Sequence, residues 1–180
     1  ARFGFNISGA GTQTSGLVSG GYPATGITES WDGTNWTEVS DLNTNRAQGA
    51  MTGSSNTDSI VTAGQGNIAD AETWDGSSWT EVGNLNTGRF SSAMSGTSTS
   101  ALHFGGRNPS GLGNTETWDG TSWAEDTDLS SARFDLASGN YAASTAAIAF
   151  AGKNPPTSFF TATEEWTGAG TAETRTVTTA

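Results

Sequence analysis

Four arginines recur along the 180 residues at a near-constant interval: Arg2, Arg46, Arg89 and Arg133, spaced 44, 43 and 44 apart. Two glutamates keep step with them. Glu29, Glu72, Glu116 and Glu164 stand two residues before a Trp, and Glu38, Glu81, Glu125 and Glu173 stand seven after it. A ring of guanidinium groups could gather an anionic ligand. Equally, one Arg with carboxylates in every repeat makes an ion pair or carbonyl clamp that fixes each repeat to its neighbour. The clamp is the better expectation, because a ligand seldom needs the same group in every unit. The second recurring set is aromatic. Trp31 and Trp36, Trp74 and Trp79, and Trp118 and Trp123 form pairs, and Trp166 stands alone in the last repeat, where Thr171 replaces its partner. Indole faces can stack on pyranose rings, or they can pack one sheet against another.

Other chemistry is thin. His103 is the single histidine and has no partner for a triad or a metal site. Asp32-Gly33, Asp75-Gly76 and Asp119-Gly120 lack the alternating oxygen ligands of a calcium loop and read as turns. There is no Cys, hence no disulfide framework, thiolate metal site or Cys nucleophile. The expectation is of no catalytic residue, no metal and no cofactor. A net charge of −11 repels phosphate backbones and anionic lipid, so neither nucleic acid nor a membrane surface is an expected partner. No apolar run approaches the roughly 18 residues of a membrane span.

The elements that carry these residues follow from the period. ESWDGTNWTEV (29–39) returns as ETWDGSSWTEV (72–82) and ETWDGTSWAED (116–126), and in worn form as EEWTGAGTAET (164–174). Such self-similarity marks a repeat protein. The units are 2–45, 46–88, 89–132 and 133–180. A chain that starts at Ala1 inside a patterned segment is expected to be processed or part of something longer, and four whole units suggest a natural C-terminus. With 25 Gly, abundant Ser and Thr, and no 3.6-residue apolar stripe, the chain reads as all-β. Each unit offers four strand-like pieces. The first follows the Arg (3–9, 47–53, 90–96, 134–140) and the second ends in a Gly pair or Ala-Gly (15–21, 59–65, 101–106, 146–152). The third ends at the first Trp, and the fourth begins near the second Trp and ends in Leu42, Leu85, Leu129 and, in the last unit, Val177. Asp-Gly closes a tight hairpin between pieces three and four, with a Trp on each side. A unit of about 44 residues with four antiparallel strands is a propeller blade.

The order Arg89, Gly105-Gly106, Trp118, Trp123, with its counterparts Gly20-Gly21, Trp31, Trp36 and Gly64, Trp74, Trp79, resembles kelch repeats. Departures are Trp in place of the usual Tyr, and Ala63 and Ala151 at the first place of the Gly pair. The resemblance implies a β-propeller of four kelch-like four-stranded blades. It leaves open whether four blades close alone or form part of a larger ring, one completed by an oligomer included. The Trp-Asp-Gly-x-x-Trp hairpins in a Thr/Ser/Gly-rich acidic chain are similar to kelch-like virion proteins of marine bacteriophages. That implies a virion-associated or extracellular location. The copper oxidase built on kelch blades requires a Cys-linked Tyr and two His, so its activity is excluded here.

Specificity is expected where the repeats differ. The loops after the Gly pair, at 22–28, 65–71, 107–115 and 153–163, share little and leave the same rim. Their contact candidates are Tyr22, Arg107, Asn108, Lys153, Asn154, Phe159 and Phe160. The expected function is a non-enzymatic structural or interaction module, a decoration, fibre or adhesion component. Its expected partners are other protein subunits in a homo-oligomer or virion assembly. The alternative is a lectin-like propeller that binds surface glycans on the repeated Trp. Phe3, Phe90 and Phe134, which follow the repeat Arg, are expected in the core.

Overall fold

A computed structural model describes residues 6–139, 145–154, 158–166 and 172–176, the backbone only for residue 158 and for 172–176. Arg2, Phe3, Tyr141, Thr171 and Val177 therefore lie outside the described residues. The described chain is all strand and turn. Four antiparallel sheets follow one another: β1 Ser8–Thr12, β2 Ser15–Ser19, β3 Thr28–Trp31 and β4 Trp36–Val39; then β5 Ala50–Ser55, β6 Asp58–Thr62, β7 Ala71–Trp74 and β8 Trp79–Val82. The third sheet is β9 Ala93–Thr97, β10 Ser100–Phe104, β11 Thr115–Trp118 and β12 Trp123–Asp126. The fourth is β13 Phe134–Ser138, β14 Ile148–Asn154, β16 Ala162–Trp166 and β17 Ala172–Thr176, with the two-residue β15 Ser158–Phe159 paired on β14. Each sheet is a meander in chain order, and the four are arranged as a four-bladed β-propeller.

The strands start and stop differently from the sequence reading. The first strands of blades one to three begin later than expected, each after a left-handed residue, whereas in blade four the equivalent residue lies inside β13. Asn6, Gln48, Ser91 and Asp135 have φ of 61°, 59°, 57° and 52°. Their backbones form a ladder: the Gln48 amide donates to the Asn6 carbonyl (3.2 Å), Ser91 to Gln48 (3.0 Å) and Asp135 to Ser91 (2.9 Å). The innermost strands, β1, β5, β9 and β13, follow that ladder and pack in that order. The fourth strands of blades one to three end at Val39, Val82 and Asp126, three residues short of the Leu at which the sequence suggested they stop.

The period-two pleat gives each blade two distinct faces. Val61 lies opposite Glu72, and Ser59 opposite Trp74, which in turn faces Trp79, so all share the face turned to blade one. There Trp74 and Trp79 bury themselves with Leu17, Leu42, Met51 and Val61. Trp118 and Trp123 do the same against Ile60, Ala63 and Met94 between blades two and three. Trp166 packs with Leu102, Phe104 and Leu136 between blades three and four. Each blade thus has a leading face that carries Trp, and the trailing faces of blades one to three, of small and apolar residues including Phe104, receive the Trp of the next blade. The hydrophobic core is therefore divided among the junctions, as one sheet cannot bury both of its faces alone.

Candidate functional site

The repeated Asp is a turn residue. Asp32 Oδ1 accepts from the amides of Thr34 (2.7 Å) and Asn35 (2.8 Å), and Asp75 and Asp119 repeat the pattern. These backbone donors lower all three carboxyl pKa values, that of Asp75 to about 2, where the Ser78 and Ser77 amides and the Ser77 hydroxyl converge. The Trp pairs flank this turn in register, with ring centroids 5.4, 5.3 and 5.2 Å apart. The first Trp of each pair is pinned by its indole N–H, which donates to the Gln13, Asn56 or Ser98 carbonyl at 2.8–2.9 Å. In blades two and three both Trp are buried, so their faces are not available to a sugar. Trp31 is half-buried and Trp36 is 51% exposed, as no described blade covers their face.

The repeated Arg and the first Glu pair, but within one blade and not between neighbours as the sequence reading expected. Arg46 Nη2 meets Glu72 Oε1 at 2.5 Å, Arg89 pairs with Glu116, and Arg133 Nη2 reaches Glu164 Oε1 at 2.8 Å; all six side chains are buried. Nη1 donates to two carbonyls in the same blade. For Arg46 these are Ala63 (3.0 Å) and Asp70 (2.9 Å), and for Arg89 they are Gly105 and Asn114. Burial lowers the Arg89 pKa and the Glu116 charge opposes that shift, as expected of a desolvated cation held by one partner.

The clamp has members that the sequence reading missed. Asn43 donates through its amide (2.7 Å) and its Nδ2 (3.0 Å) to Glu72 Oε2, and Asn86 does the same to Glu116. The Ser130 amide donates to Glu164 at 2.7 Å. Each of these residues lies three before its Arg, a spacing visible in LNTNR, LNTGR and LSSAR. The second Glu does not join. Glu38, Glu81 and Glu125 are exposed, although each stands directly opposite the first Glu of its blade. One buried guanidinium accommodates one carboxylate, and the other remains in water, where its solvation is not lost.

The Gly pair forms a second fastener. Gly21, Gly64 and Gly106 donate their amides to the carbonyls of Arg46, Arg89 and Arg133 of the next blade at 2.8–2.9 Å. A Cβ on Gly20 would come within 2.7 Å of the Arg46 carbonyl oxygen, which explains the small residue there. Ala63 and Ala151 occupy the same left-handed place, with φ of 65° and 60°.

His103 is buried in this framework. Its Nε2 contacts Ser92 Oγ at 2.6 Å and its Nδ1 lies 3.4 Å from Thr62 Oγ1. Desolvation, followed by the nearby Arg89 charge, holds its pKa well below 6.5. Among the described residues no group of three His, Cys, Asp or Glu is placed to hold a metal.

The rim-loop candidates differ in how far their neighbours cover them. In each blade the strand that ends in the Gly pair returns to the end where the Arg lies, so these loops share that end with the clamps. Arg107 is held by its neighbours, with its guanidinium 4.5 Å from the Phe90 ring centre and 4.7 Å from that of Phe134. Phe134 is buried as expected, but Phe90 is only half-buried, as part of this stack. Asn108 Nδ2 donates to the Gly88 carbonyl (2.7 Å), and Asn154 is half-buried next to Gly111. Lys153 pairs with Asp135 at 2.8 Å, both being 44% exposed. Phe160 lies under the Arg133 guanidinium at 4.4 Å. Its neighbour Phe159 is 81% exposed, and Tyr22 is also exposed, following the Gly pair of blade one. A polar hollow of about 240 Å³ opens at the ladder, lined by Asn6, Gln48, Ser91, Ser92 and Asp135 among others.

No family model matches the chain, and no curated protein matches it. Among solved structures it is similar to the structure of YjhT, with a TM-score of 0.76 and 12% identity over 97% of this chain. The match covers 66% of that longer chain, so this chain spans slightly less than two thirds of it. At that identity the likeness shows the fold alone: four blades of four antiparallel strands, a β-propeller.

Proposed function

We propose that the chain is a non-catalytic kelch-type interaction module that engages other protein subunits through its rim, in a virion or another extracellular assembly. The kelch reading is supported by the shared employment of the repeat residues: Arg on the first Glu, the Gly pair on the next blade, Trp between sheets. The location rests on the resemblance of the Trp-Asp-Gly-x-x-Trp hairpins to phage virion proteins. The observation that carries the interaction reading is the split of the Phe pair. Phe160 is held by Arg133, while Phe159 on β15 leaves a large apolar side chain 81% exposed to solvent. The lectin alternative loses its repeated platform, since Trp74, Trp79, Trp118 and Trp123 are buried.

Removing the whole 153–163 loop would be a poor test, because Arg133 donates to the Ala162 carbonyl and Glu164 follows immediately. The better test places a photo-cross-linking residue at position 159 in the native assembly, with a control at exposed Glu81. A partner protein captured from 159 and not from 81, and lost when Lys153 and Tyr22 are both changed to Ala, is the expected result. Equal capture from both positions, or none from 159, contradicts the reading.

A further inference from the structure

We infer that the chain associates head to tail with a second copy of itself, the leading face of blade one of one molecule seated on the trailing face of blade four of the other. The inference rests on the repeat contacts and stands without the rim-loop reading. Two junctions inside the chain show what a leading face requires. Trp79 of blade two donates its indole N–H to Thr28 Oγ1 of blade one at 3.0 Å. Trp166 of blade four stacks on Phe104 of blade three, with centroids 5.2 Å apart and planes 24° apart. At these two junctions a leading Trp thus has a receiving residue on the trailing face before it.

Both halves of this junction are present at the ends of the array, with Trp36 and Phe150 exposed. On blade one Trp36, the counterpart of Trp79, is 51% exposed beside a hollow of about 340 Å³ bordered by Trp31, Val18 and Gly16. On blade four Phe150 occupies the place of Phe104, two residues before the Gly of the pair, and is 39% exposed with Ala137 opposite it in register. Thr163 stands where Thr28 stands, one residue before the clamp Glu. Phe150 is thus placed to receive Trp31, whereas Thr163 is already buried within the chain.

Among the described residues the chain does not make this junction with itself. The backbone ladder runs from Asn6 through Gln48 and Ser91 to Asp135, and among the described residues no hydrogen bond returns it from Asp135 to Asn6. Exposed Trp36 and Phe150 agree with an open seam. The two faces differ, so the contact is heterologous, and a second copy is the one partner certain to carry the complement of both. A sugar stacked on Trp36 would leave the complementary Phe150 face unexplained.

The test is sedimentation velocity of the purified chain over a wide concentration range, with two end-blocked variants. Trp36→Lys removes the leading face and Phe150→Lys the trailing one, and both positions are exposed enough to accept the change. The wild-type chain is expected to associate with rising concentration. Each variant alone is expected to stay monomeric, and their equimolar mixture to form a one-to-one heterodimer and nothing larger, through the one intact face of each. That heterodimer also shows that both variants fold. If a lysine variant fails to fold, Trp36→Ala and Phe150→Ser replace the pair, with at least a tenfold weaker association expected of each alone. A wild-type chain that is monomeric throughout, a variant that self-associates as wild type does, or a mixture that stays monomeric overturns the inference.

Discussion

A buried polar atom without a partner locates a place where two repeats fail to match. Trp123 Nε1 is buried and has no acceptor, whereas its counterpart Trp79 donates to Thr28. The residue in the position of Thr28 is Ala71, fully buried. Ala71→Thr would place a hydroxyl where blades one and three already carry one. The expected gain is about 1 kcal/mol, read as a rise in the urea midpoint at unchanged m-value; an unchanged midpoint would mean that the junction cannot admit the extra atoms. His103 gives a second expectation. Its folded pKa lies well below the 6.5 of the free side chain, so the unfolded chain binds the proton first. The stability held by neutral His103 is complete above pH 6.5. It is lost as pH falls below 6.5, at up to about 1.4 kcal/mol per pH unit. His103→Val, which copies Val18 and Val61 of the earlier blades, should flatten the stability profile between pH 6.5 and 5. A profile equally steep in the variant would place the proton uptake elsewhere.

The strand and its connector are held together by the clamp, and this is where sequence and structure can be compared most closely. The hairpins were legible, since Asp-Gly between two Trp has few other uses, and third strands end at the first Trp as expected. The Arg with its first Glu was legible as an ion pair because both recur in step. Assigning the second Glu to the clamp was wrong. Composition counts charges, but register decides that Glu72 and Glu81 compete for one guanidinium. The part played by Asn43 and Asn86 escaped notice because Asn in a polar connector looks like any turn residue; only the fixed step of three to the Arg signals it. That connector also explains why the fourth strand ends early. Its backbone amides leave the ladder to donate to the buried carboxylate. Glu116→Gln should therefore cost about 3–5 kcal/mol, since it leaves the Arg89 charge buried and unpaired. Glu125→Gln, on the exposed side of the same ladder, should change thermal stability little. Equal losses from the two would mean that the clamp is not what orders the connector.

The array of four blades divides its residues by position. What repeats is used in holding blades together. What faces a missing neighbour, or lies in a loop unlike the others, is left for contact. The period alone foretold the blade; it could not foretell the exposure of Trp36, because the same Trp is buried wherever another blade precedes it. Indole accessibility measures this division directly. The seven Trp can be labelled as 5-fluorotryptophan and followed by fluorine NMR with a soluble paramagnetic probe, in dilute and concentrated solution. In dilute solution Trp36 should broaden strongly and Trp31 in part, with Trp74, Trp79, Trp118, Trp123 and Trp166 unaffected, and Trp36 should become protected as concentration rises. Broadening of Trp79 and Trp123 in the dilute folded chain would contradict it, for the repeated Trp would then be a surface platform and not the fastener between blades.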